Sequence, residues 1–281
     1  MGRSRTIGGV EVPAFLYGTA WKEAATQELT ELAIAHGFRG VDTANQRKHY
    51  DEAAVGRAMG AAMAGGQLAR DDLFLQTKYT FQRGQDHRLP YDPASPIAVQ
   101  VEESLASSLE HLGVDRIDSY LLHGPSRATG LGVEDWAAWQ AMEKIHDSGR
   151  ARLLGVSNVS LEQLKMLCKE ARVKPKFVQN RCYAVSGWDR AIRLFCKANE
   201  IVYQGFSLLT ANRGVIASQQ LATLSKRYDC SPAQLIFRFA IDVGMIALTG
   251  TTDAEHMQQD LGIFDMRLQA EDIDMIERIA E

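Results

Sequence analysis

Eight short apolar, β-rich runs recur along the chain: AFLYG (14–18), GVDTA (40–44), LFLQTK (73–78), IDSYLLH (117–123), ARLLGVSN (151–158), KFVQNRCY (176–183), IVYQGFS (201–207) and MIALTG (245–250). Between them lie stretches with the period of an amphipathic helix. Ile97, Val101, Leu105, Leu109 and Leu112, for instance, fall on one helical face. Ser160 with Gln163 forms a capping box ahead of a helix over 161–171, and Ser231-Pro232 is a cap followed by proline at the first helical position. Gly37, Gly113 and Gly149 stand just past helical runs, where a left-handed residue closes a helix.

Strands that are apolar throughout and joined by helices pair in parallel, with both faces covered. Eight such units in about 250 residues predict an α/β fold, a closed (β/α)8 TIM barrel spanning 1–281 as a single domain. An open doubly wound sheet is the alternative. No G-x-G-x-x-G follows a strand and no G-x-x-x-x-G-K-[ST] occurs, so any nucleotide is held by neither a Rossmann turn nor a P-loop.

With 46% hydrophobic and 23% charged residues the composition is that of a globular protein, which excludes disorder for most of the chain. The net charge of −4 argues against nucleic acid or an anionic membrane as the main partner. Cys168, Cys182, Cys196 and Cys230 form no CxxC pair, so we expect reduced thiols in a cytoplasmic protein, with neither a disulfide framework nor a metal site. No apolar run reaches membrane-spanning length, and the start MGRSRT lacks the apolar core of a signal peptide.

In such a barrel the chemistry gathers where strands end. Asp42, Lys78, His123, Asn158 and Gln179 all end apolar runs, and the irregular stretch 81–96 follows the third strand on the same face. Each alone has an ordinary structural reading. Together, an acid, a cation and an imidazole on one rim are the groups that tune a phenol for proton transfer, since a free tyrosine has a pKa of about 10.

The sequence resembles the aldo-keto reductase family essentially end to end, through GFRGVDTA (37–44), LFLQTK (73–78), SLASSLEHLGVDRIDSYLLHGP (104–125), GRARLLGVSN (149–158), KPKFVQN (174–180) and SPAQLIFRF (231–239). The resemblance implies a barrel that binds NAD(P)H along its C-terminal rim and reduces a small-molecule aldehyde or ketone to an alcohol. It carries the catalytic roles onto Asp42, Lys78 and His123, and the nicotinamide carboxamide onto Ser157, Asn158 and Gln179. Phe206 falls where the family stacks a tyrosine on the nicotinamide ring. Ser207 and Leu209 would approach the pyrophosphate, with Asn212 and Arg213 as further candidates. Monomer is the family default. A cofactor-binding sensor of the same fold, with little turnover, is the alternative function.

The chain departs from the family pattern at three places. The first is the proton donor, because 42–56 reads DTANQRKHYDEAAVG. Counting back from Glu52 puts His49 in the tyrosine slot, whereas chemistry chooses Tyr50, with Lys78 lowering its pKa. The second is the adenosine end, where Gly250, Thr251, Thr252, His256 and Asp260 replace the basic residues many members place around the 2′-phosphate. NADPH is the expected cofactor, with NADH left open. The third is the lack of a long tail after the helix of Ile273, Ile276 and Ile279, which implies an open substrate site walled by Tyr17, Trp21, Tyr79, Tyr91 and Trp188.

Overall fold

The alternation of apolar strands and amphipathic helices resolves into one closed barrel. The computed structural model describes residues 2–66 and 68–280. An antiparallel hairpin, β1 (Ser4–Ile7) and β2 (Val10–Pro13), comes first. The eight barrel strands are β3 (Phe15–Gly18), β4 (Gly40–Asp42), β5 (Phe74–Tyr79), β6 (Ile117–Leu122), β7 (Ala151–Ser157), β8 (Phe177–Arg181), β9 (Val202–Phe206) and β10 (Ile246–Thr249). All pair in parallel in chain order, and β10 closes on β3. Every strand expected from the sequence is present.

The crossovers are helical, among them α1 (Thr26–Ala35), α2 (Glu52–Ala64), α3 (Ile97–Leu112), α4 (Val133–Asp147) and α5 (Leu161–Glu170). They continue with α6 (Arg190–Ala198), α7 (Arg213–Ile216), α8 (Gln219–Tyr228), α9 (Pro232–Asp242), α10 (Ala254–Gly262) and α11 (Ala270–Glu277). The expected capping boxes form at Ser160–Gln163 and Ser231–Gln234. Gly37, Gly113 and Gly149 take φ of 106°, 66° and 78°, the left-handed closure that a side chain would strain. No described helix is long and apolar enough to cross a membrane, and the four cysteines are free thiols.

The hairpin has no counterpart in the sequence reading. Its signal is Gly8-Gly9, both at positive φ, which is what a two-residue hairpin turn requires. Val10 and Val12 pack with Leu16, Phe74, Leu153, Phe177, Ile246 and Leu248 in an apolar floor that closes the N-terminal end of the barrel.

Side chains two apart on a strand share a face, so the layer above that floor is set by the register. Phe74, Gln76 and Lys78 rise along the inner face of β5, while Val202, Gln204 and Phe206 do so along β9. Asp42 pairs in register with Gln76, and Gln179 with Gln204. A polar layer therefore lies between the apolar floor and the C-terminal rim.

Candidate active site

Asp42 ends β4, and its carboxylate is buried among donors. Lys78 Nζ donates to Asp42 Oδ1 at 2.7 Å and Oδ2 at 2.8 Å, and to the Thr43 carbonyl at 2.7 Å. Gln76 Nε2 (2.6 Å) and Gln179 Nε2 (3.0 Å) also donate to Asp42 Oδ1. The two glutamines further donate to Gln204 Oε1, at 2.8 and 2.9 Å, and Gln204 Nε2 returns a bond to Gln76 Oε1 at 3.0 Å. This network satisfies a buried charge that would otherwise be costly to hold. Burial pulls the Lys78 ammonium below the ordinary lysine range, with the Asp42 charge opposing.

Gln76 and Gln204 escaped the sequence reading, which looked for polar groups only at strand ends. A glutamine at the third position of the strand, in FLQTKY of β5 and VYQGF of β9, is the signal that marks them.

The segment after Asp42 decides which residue faces the lysine. The amides of His49 and Tyr50 both donate to the Gln46 carbonyl, at 2.9 and 3.1 Å, so the chain turns tightly there. Tyr50 then points inward: its ring centroid is 5.5 Å from Lys78 Nζ and 6.1 Å from the His123 ring, edge to face. His49 instead stacks on Trp21 at 3.6 Å between centroids, and both line the mouth of the same site. Asp51 accepts from the Ala54 amide at 2.9 Å and caps α2. The helix cap thus follows Tyr50 directly.

The expected lowering of the Tyr50 pKa by Lys78 is not what the environment does. Burial, reinforced by the Asp42 charge, pushes the phenol well above its ordinary value. The ammonium faces the ring and is already neutralised by its bidentate contact with Asp42. His123 moves the other way: burial and the nearby Lys78 push its pKa down to about 3, so the imidazole is neutral at working pH. Its Nδ1 lies 2.6 Å from Thr80 Oγ1.

Asp42, Tyr50 and His123 open on a cavity of about 810 Å³. From them it runs past Ser157, Gln179, Phe206, Ser207 and Leu209 to Gly250, Thr251, His256 and Asp260. Two non-glycine residues that line it take positive φ, Trp21 (61°) and Ser207 (56°). Such backbone costs on the order of 1 kcal/mol each and concentrates where a ligand site is shaped.

Other candidates lie elsewhere. Asn158 lines a second cavity of about 430 Å³ on the far side of His123, and its Nδ2 donates to the His123 carbonyl at 2.8 Å. Thr252 lies just beyond the segment that lines the main cavity. Asn212 is a loop clamp, accepting from the Ala184 amide (2.7 Å) and donating to the Cys182 and Leu208 carbonyls (2.9 Å each). Lys22, which the sequence reading passed over, is buried and donates to the Gly250 carbonyl, bringing a cation to a segment expected to have none.

The expected aromatic wall is largely core. Tyr17 packs on Phe38 and donates to the Thr251 carbonyl, Tyr79 donates to Gln100, Tyr91 to the Thr80 carbonyl, and Trp188 to the Ile276 carbonyl. All four are buried, and their polar atoms are paired inside the protein. Only Trp21 of the five, 69% exposed, lines the cavity. Among the described residues no His, Cys, Asp and Glu side chains gather as a metal site would require.

The sequence model of the Aldo/keto reductase family matches residues 14–281. The chain is 28% identical to the human protein named aldo-keto reductase family 1 member C3, covering 89% of this chain and 81% of that one. It is 29% identical to an oxidoreductase of Bacillus subtilis named YtbE, covering 97% and 91%. A crystal structure of the silkworm aldo-keto reductase AKR2E5 complexed with NADPH superposes with a TM-score of 0.84 at 22% identity, over 99% of this chain and 87% of that one. The barrel, its polar rim and these matches together place the chain in the aldo/keto reductase family, a family of NAD(P)H-dependent oxidoreductases.

Proposed function

We propose that the protein reduces an aldehyde or ketone to the alcohol with NADPH, and that Tyr50 donates the proton. The observation that carries this reading is the Tyr50 ring held between Lys78 and His123 at the head of the long cavity.

The cavity suits a dinucleotide. Gln179 has its Nε2 committed to Asp42 and Gln204, which leaves Oε1 as an acceptor for a carboxamide. Ser157 and Asn158 flank it, and Phe206 offers a flat apolar face for a ring. Ser207 and Leu209 would border the phosphates, and Gly250, Thr251, Thr252, His256 and Asp260 the adenosine end. NADPH, when bound there, supplies the hydride from C4 of its nicotinamide.

The side chains of the protein handle the proton. His123 donates a hydrogen bond to the carbonyl oxygen and orients it. Tyr50 stays protonated at neutral pH, and the alkoxide developing beside it is more basic than any phenolate, so the transfer runs downhill even from a raised pKa. The Lys78 ammonium, held by Asp42, then faces the phenolate left behind.

The test is fluorescence titration of NADPH and NADH into the wild type and Tyr50→Phe, followed by turnover of an aldehyde panel. Both proteins should bind cofactor, and the variant should lose ~10²- to 10⁴-fold in kcat, the usual contribution of a general acid. Retained activity in Tyr50→Phe, with loss in His49→Ala, would move the donor to His49. Binding without turnover in the wild type would make the protein a cofactor sensor.

A further inference from the structure

Thr80 follows the last residue of β5 and is buried in the wall of the second cavity, against His123. Its hydroxyl makes one side-chain hydrogen bond among the described residues, the 2.6 Å contact with His123 Nδ1. The surroundings fix that hydroxyl. The Thr80 carbonyl accepts from the Tyr91 hydroxyl at 2.8 Å, and a Cβ at Gly84 would lie 2.7 Å from the Thr80 methyl, so the loop after β5 presses that methyl into place. His123 is held from its backbone, donating to the Tyr79 carbonyl at 2.9 Å and accepting from Asn158 at 2.8 Å.

A neutral imidazole carries one N–H and one lone pair, and its partner selects which nitrogen has the proton. Burial beside Lys78 keeps His123 neutral. If Nδ1 carried the proton, it would donate to Thr80, and the proton of the hydroxyl would have to turn to water in the second cavity. If the hydroxyl donates to Nδ1, both groups are satisfied and Nε2 carries the proton. Exchanging a hydrogen bond within the protein for one to water disfavours the first arrangement by about two- to tenfold.

We propose that Thr80 is a positioning residue that fixes His123 as the Nε2–H tautomer, so that the imidazole presents a donor to the carbonyl oxygen of the substrate. The inference rests on the reductase reading of the site. It assigns the second cavity's wall a part in the reaction through His123, without contact between Thr80 and substrate.

The experiment compares the full-length wild type, Thr80→Val and Thr80→Ser, labelled with 15N-histidine, by two-bond 1H–15N correlation at neutral pH. His123→Asn identifies the His123 signals. The same proteins are assayed for kcat and KM with 4-nitrobenzaldehyde and NADPH, and for NADPH affinity. The wild type and Thr80→Ser should carry the proton on Nε2. Thr80→Val should show a mixture of tautomers and a kcat about tenfold lower, as expected for loss of an orienting partner, with NADPH affinity unchanged. A wild type protonated on Nδ1, or a Thr80→Val protein with unaltered tautomer and kcat within about twofold, would overturn the proposal. If Thr80→Val does not fold, the wild-type and Thr80→Ser spectra decide by the same criterion. If the wild type reduces no carbonyl while the spectra behave as expected, the tautomer assignment stands and the reductase reading falls.

Discussion

Replacing Gln204 by leucine removes an amide from the middle of the barrel without leaving a hole. It deletes three hydrogen bonds: those Gln204 accepts from Gln76 and Gln179, and the one it donates to Gln76. At about 1 kcal/mol each, the three bonds come to about 3 kcal/mol, and Gln76 Oε1, left buried and unmet, adds to that loss. Gln76→Leu deletes the same two bonds between the pair and the bond to Asp42, for a similar loss. The double variant removes the shared pair only once and orphans neither amide of it. It should therefore be more stable than the two single effects predict by about 2 kcal/mol. Urea denaturation of the four proteins, compared at equal m-values, measures this coupling. Additivity within about 0.5 kcal/mol would show that the two amides do not meet across the barrel, and would remove the argument that the polar layer is one network.

Two further outcomes are expected. The folded-state pKa of His123 is depressed to about 3, so the unfolded chain binds the extra proton between its ordinary value and that point, and this residue contributes a loss of stability as pH falls below about 6.5. Glu52, buried against Thr77 and Ser108, is raised to about 7 and acts with the opposite sign, losing stability as pH rises from about 4.5 to 7. Thermal melts of His123→Asn and Glu52→Gln against pH should therefore diverge from the wild type in opposite directions, and parallel curves would contradict both environments. At the adenosine end, His256→Arg places a permanent cation beside Thr251 and Asp260. Titration should show NADPH binding about fivefold tighter with NADH unchanged; equal changes for both would mean that the 2′-phosphate lies elsewhere.

The barrel was legible because its evidence is local. An apolar run covered on both faces, a helical period and a capping box each lie within a dozen residues, and Asp42, Lys78 and His123 announce themselves by ending such runs. What stayed hidden depends on how distant segments meet. Gln76 and Gln204 lie 128 positions apart and become partners only when the barrel closes. Tyr17, Tyr79, Tyr91 and Trp188 read like a pocket wall, because composition does not say whether a phenol or indole finds a carbonyl inside the core. Which of His49 and Tyr50 packs against Lys78 depends on one tight turn at Gln46, and the sequence carries no mark of that turn. The hairpin at Gly8-Gly9 was readable but too short to stand out beside the barrel pattern.

That hairpin divides the labour of the molecule along the barrel axis. With Val10 and Val12 packed into the apolar cluster at one end, the large cavity opens at the other, where the proposed chemistry would take place. Substitutions in the seal should alter how long the protein stays folded and leave turnover untouched, while those at the open mouth do the reverse. The glutamine layer between them belongs to both ends, and there neither property can be tuned without the other.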